Sequence, residues 1–119
     1  MATIFKTIDV GSIAAGDTSS GSWTSDADYT IKKIVAVEKG GSSLANVTAT
    51  LRIDEFTFTK DVVPLSVYQG YVNQVPELNY KLEKGRTFYY SITNNTSGSV
   101  DIYLVLVLEG PAPEWVAAK

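Results

Sequence analysis

Arg86-Thr-Phe-Tyr-Tyr-Ser-Ile-Thr-Asn-Asn-Thr-Ser-Gly-Ser-Val-Asp-Ile-Tyr-Leu-Val-Leu-Val-Leu-Glu109 carries the clearest structural signal in the chain. Its first part sets Phe88, Tyr90 and Ile92 at every second position, the period of a strand with one buried face. Asn94 to Gly98 then supplies a turn. Val100 to Glu109 is apolar on both phases, with Ile102, Leu104, Leu106 and Leu108 on one and Tyr103, Val105 and Val107 on the other. Burial on both faces explains that pattern. A helix could carry such a run, but its length, its β-branched content and its flanking turns favour a strand.

Upstream the same period recurs. Ile4, Ile8 and Val10 alternate with Thr3, Thr7 and Asp9, and Phe5 interrupts the polar side, as at an edge or a contact surface. Gly11 to Gly21 is rich in Ser, Gly and Ala and reads as a loop or weak edge strand leading to Trp23. Tyr29, Ile31, Val35 and Val37 fall in phase in the next strand, and Lys39 to Ser43 is a turn. Val47, Ala49, Leu51 and Ile53 follow, with a corner at Asp54-Glu55 into Phe56 to Lys60, which forms a hairpin. Asp61 to Val75 is irregular and longer than most connections, a place to seek function. Leu78, Tyr80 and Leu82 make one more strand before the turn at Glu83 to Gly85. With no sustained helical period and no internal repeat, the expectation is an all-β fold. It takes the form of an antiparallel β-sandwich of about eight strands, wound as a Greek key or jelly roll rather than a closed barrel. The sandwich spans residues 1–110, and 111–119 form an extended tail.

The 119 residues fit one domain, long enough to bury a core without disulfides. Neither histidine nor cysteine is present, which removes the commonest general base, the commonest metal ligands and the best nucleophile. No G-x-S-x-G, S-x-x-K, phosphate loop or dinucleotide fingerprint occurs. Asp26 with Asp28, and Asp54 with Glu55, match no calcium-loop spacing and stand where turns place acids. The reading is a non-enzyme with no metal site and no cofactor. Ten Lys and Arg are scattered singly in a chain of net charge −3, and Lys32 and Lys33 should point to opposite faces, so no basic stripe exists for nucleic acid. Residues 1–10 lack the apolar core of a signal peptide, and the longest apolar run, Ile102 to Leu108, is far short of a membrane span. The expectation is a chain made and soluble in the cytosol. On that basis the acceptor triplets at Asn46, Asn94 and Asn95 are read as silent.

Two features point to partners. Tyr29, Tyr80 and Tyr90 keep phase with apolar neighbours and belong to the core. Tyr68 and Tyr71 in the long loop, and Tyr89 on the opposite phase from Phe88 and Tyr90, are candidates to contact a glycan or another copy of the chain. In the tail, Trp115 and Val116 follow Pro111 and Pro113, which hold them extended and away from the last strand. Such an apolar pair must be covered, either by its own domain or by a neighbouring subunit.

The order of elements resembles that of single jelly-roll virion proteins, the small capsid, spike-base or decoration subunits of viruses. The likeness rests on the first strand Thr3 to Val10, the Ser/Gly-rich segment ending at Trp23, and the closing pair Arg86 to Thr93 and Val100 to Glu109. The resemblance implies a structural subunit of a virion that binds copies of itself or other virion proteins, with loops at one end of the sandwich for partner contacts; the residue patterns above add Phe5, Trp115 and Val116 as the contacts between copies. The basic arm with which some such proteins hold genome is missing, which favours an outer or vertex position. The same architecture serves lectins, and the alternative is a carbohydrate-binding or adhesion module that uses Tyr68, Tyr71 and Tyr89.

Overall fold

A computed structural model describes residues 2–59, 62–70 and 74–111. Its strands are β1 (Ala2–Ile13), β2 (Thr18–Thr24), β3 (Tyr29–Glu38), β4 (Val47–Ile53), β5 (Phe56–Thr57), β6 (Val63–Pro64), β7 (Tyr80–Leu82), β8 (Thr87–Asn94) and β9 (Val100–Gly110). They form two antiparallel sheets packed as a sandwich. One has the order β1-β9-β3-β7, and the other β2-β8-β4-β5, with β6 also paired to β4. Apart from the β4–β5–β6 edge, successive strands alternate between sheets, and β1 and β2 pair with β9 and β8. That is jelly-roll winding. The strand beyond the expected eight arises because the edge beside β4 is split. β5 pairs with Arg52 and Ile53, and β6 pairs with Thr48 and Ala49.

The inner faces supply one core, in which Ile31, Ile34, Leu51, Phe88, Ile92, Ile102, Leu104 and Leu106 are all buried. Each such side chain contributes about 1.5–3 kcal/mol relative to exposure. Strict alternation holds in β4 and β8, whose buried and half-buried residues exchange at every step. It fails in β3. The register against β9 slips between Ile31 and Lys33, so Ile34 and Ala36 continue the inward set begun by Ile31. Val35 and Val37, in phase with Ile31 by count, therefore face outward; the extra residue of a bulge inverts everything after it. A second bulge, between Asp9 and Gly11 of β1, uses Gly11 at φ +82°, a conformation that disfavours other residues, and restores Ile13 to the core.

The irregular stretch after β5 is anchored to the sandwich at a few described residues, while Val62 and Val67 stay exposed. Its 3-10 turn, Leu65–Tyr68, buries Leu65 and Tyr68, and Gln69 bridges to Ala36. The Gln69 side chain accepts from the Leu44 amide at 2.9 Å and donates to the Ser42 carbonyl at 2.8 Å. Val75 then lies on the outer face of the four-stranded sheet against Val35 and Val107.

At the far end of the sandwich, the β8–β9 turn is organised by Asn94, which is wholly buried. Its amide nitrogen donates to the carbonyls of Ile13 and Gly98, and its oxygen accepts from the Thr96 amide and hydroxyl. All four of its hydrogen-bonding positions are used internally. Of the three glycan-acceptor triplets, this one is closed by burial, whereas Asn46 and Asn95 are exposed.

Candidate interaction surfaces

The two outer faces differ in chemistry because the outward phases of their strands differ. On the four-stranded sheet, β1 contributes Phe5, β9 contributes Tyr103, Val105 and Val107, and β3 contributes Val35 and Val37. The register sets Phe5 beside Val107, and Val105 and Tyr103 beside Val35 and Val37. Val75 packs on Val35 and Val107, with the half-buried Val105 against them. Phe5 is left 62 % exposed and Val37 39 %. A clamp bounds the patch. Lys39 Nζ lies 3.1 Å from Asp9 and 3.2 Å from Asp101, and 4.1 Å above the Tyr103 ring. Its hydrogen bond to Asp9, ahead of its contacts with Asp101, raises its pKa above the ordinary lysine value.

β1 is an edge strand, yet it is a poor template for strand addition. Lys6 stands in the inward phase between Ile4 and Ile8, with Nζ 5.5 Å from the Trp23 ring, and the Gly11 bulge breaks the ladder. Inward charges and bulges are devices that blunt sheet edges. Contact through β1 therefore uses its outer face.

The outer face of the five-stranded sheet is a set of hydroxyl rows. Thr18 pairs with Thr93 at 2.8 Å, Ser20 with Ser91 at 3.3 Å and Thr24 with Thr87 at 2.9 Å. Among them, Arg52 and Tyr89 are direct cross-strand partners, and the guanidinium lies 3.8 Å above the phenol ring. Two shallow hollows meet at this pair. One, of about 320 Å³, runs over Ser20, Ser22 and Thr50. The other, of about 880 Å³, opens between the β4–β5 corner and the β7–β8 turn, beside Phe56.

The residues singled out from the sequence scatter. Phe5 is exposed on the outer face of the four-stranded sheet. Tyr89 faces outward, but one side of its ring carries Arg52. Tyr68 is a correction: only 6 % exposed, it has its hydroxyl pKa pushed up by burial and offers no stacking surface. Its loop folds inward because Leu65 and Tyr68 fill the gap between β3 and β4. Tyr71, Trp115 and Val116 lie outside the described residues. The two carboxylate pairs are dispersed or employed. Asp26 accepts from the Tyr29 hydroxyl, Asp28 from the Lys84 amide, and Asp54 from Arg86 and the Thr87 amide. Among the described residues no group of three or more acids could hold a metal ion, and no helix is long and apolar enough to cross a membrane. The sequence reading missed Arg52 and Phe56. Arg52 becomes visible only once β4 is paired with β8, and Phe56 once β5 is known to end a sheet.

The chain matches no protein-family model, no curated protein sequence and no solved structure.

Proposed function

We propose that the protein is a non-enzymatic structural subunit that self-associates in a larger assembly, of the kind from which virion shells and their decorations are built. The observation that carries this reading is the pair of exposed apolar side chains on the outer face of the four-stranded sheet, Phe5 on β1 and Val37 on β3. A phenylalanine at 62 % exposure at the margin of the Val35, Val75 and Val107 cluster has an unfavourable contact with water that a second copy removes. Chain connectivity supports the same face. β9 ends at Gly110 opposite Ala2 of the strand that carries Phe5, and Trp115 and Val116 follow it in sequence. Stable interfaces bury roughly 1,200–2,000 Å² in total, so the proposed contact extends over the sheet face beyond Phe5 alone.

Multi-angle light scattering of the purified chain tests it. The expected result is a multimer at about 100 μM that becomes a monomer in both Phe5→Glu and a chain ending at residue 111, since losing one anchor costs enough to shift a modest association constant by roughly tenfold or more. A wild-type monomer at that concentration, unchanged by either alteration, overturns the proposal.

A further inference from the structure

The larger hollow belongs to neither the core nor the self-association face, and its geometry points to a second activity: binding of a neutral sugar unit. Its position follows from the β4–β5 hairpin. Ile53 pairs with Phe56, so Asp54 and Glu55 form a two-residue connection, and Asp54 takes φ +48°. Positive φ at the first central position of such a turn is the usual place of glycine. An aspartate there gives the turn a carboxylate, and Asp54 uses it to hold Arg86 at 3.2 Å and the Thr87 amide at 3.2 Å. Asp54 also accepts Arg52 on its carbonyl oxygen, and Arg52 is held from the other side by the Tyr89 ring. Arg52 is thereby held on two sides and Arg86 at one before any ligand arrives, which lowers the ordering cost of binding.

The rest of the lining complements a polyol. Phe56 is 55 % exposed, yet it is not loose: its ring meets Tyr80 edge-on at 5.5 Å and Phe58 at 6.2 Å. It offers a fixed apolar wall for the C–H face of a pyranose. Three cations, Arg52, Lys81 and Arg86, are matched by three acids, Asp54, Glu55 and Glu83, so the hollow has no net charge. A charged ligand would meet as much repulsion as attraction there. A hexose, whose hydroxyls donate and accept at close intervals, can use both kinds of group. The hollow's volume, about 880 Å³, lies within the range of small-molecule sites. The adjoining hydroxyl groove would let a chain of sugars continue past Tyr89.

Titration of the isotope-labelled full chain with lactose, cellotriose, mannotriose and triacetylchitotriose, followed by amide NMR shifts, tests the site. The expected result is a saturable response to at least one of them in the range up to about 10 mM, centred on Glu55, Phe56, Lys81 and Glu83. Phe56→Ala should weaken it about tenfold or more. Glu83→Ala, whose side chain makes no hydrogen bond among the described residues, should weaken it with the rest of the spectrum unchanged. Phe5→Glu should leave it intact, which separates this site from the self-association face. No saturable shift with any of the four overturns the inference. So does a response centred elsewhere, or tighter binding of 3′-sialyllactose than of lactose.

Discussion

Glu38 shows how one side chain can close a sandwich. It ends β3, is only 8 % exposed, and accepts the amides of Gly40 at 2.7 Å, Ser42 at 3.1 Å and Asp101 at 2.8 Å. The amide of Asp101, then that of Ser42, holds its pKa below the ordinary value of 4.5. A depressed carboxylate contributes stability that is fully present above its unfolded-state pKa and is lost as pH falls through the folded-state value. Thermal melts across a pH series should therefore show Glu38→Gln less stable than wild type at neutral pH, with the gap closing below about pH 4. A gap that persists undiminished in acid would show that the charge is not what these amides hold. For single residues the sequence is a partial guide. Phe5 betrays itself by breaking a polar phase, because exposure on a regular strand follows from parity. Tyr68 does not, because a residue in an irregular loop carries no parity, and only the packing of Leu65 and Tyr68 under β3 and β4 decides its side.

Elements were legible where the backbone period is unbroken. β4, β8 and β9 stand where alternation puts them, and the corner at Asp54-Glu55 is a real hairpin. The bulges in β1 and β3 were not legible, since each depends on tertiary pairing with β9 rather than on local residue type. β6 was hidden for a similar reason: two residues pair with β4 only after the loop has been folded back. The β8–β9 turn is visible in its Asn, Ser and Gly content, but its controlling residue is not. Asn94 is part of the turn by sequence and part of the core by burial, bonding the end of β8 to β1 and to the β8–β9 turn. Asn94→Ala would remove the side-chain hydrogen bonds to the Ile13 carbonyl and from the Thr96 amide. Urea unfolding should show a loss of about 1–3 kcal/mol. A loss within error of zero would mean that water replaces the amide without cost.

For the whole molecule, the division of labour between faces is what matters. The jelly roll places Thr and Ser outward on β2 and β8, where hydroxyls pair with one another, and places Phe5, Val37, Val105 and Tyr103 outward on the other sheet. Sequence periodicity showed that each strand has two faces. It did not show which strands share a sheet, so the apolar outward positions could not be assembled into a patch before the order β1-β9-β3-β7 was known. The chain has no native cysteine, so a single introduced thiol reports its own surroundings. Thr7→Cys places one beside Phe5 on the outer face of β1, and Ser20→Cys places one on the hydroxyl face of β2. The rate of labelling by a thiol reagent, measured as protein concentration rises, locates the contact between copies. Self-association through the four-stranded sheet requires labelling of the Thr7→Cys variant to slow with concentration while that of the Ser20→Cys variant stays constant. Equal, concentration-independent rates in both variants, or protection of the β2 thiol alone, would contradict it.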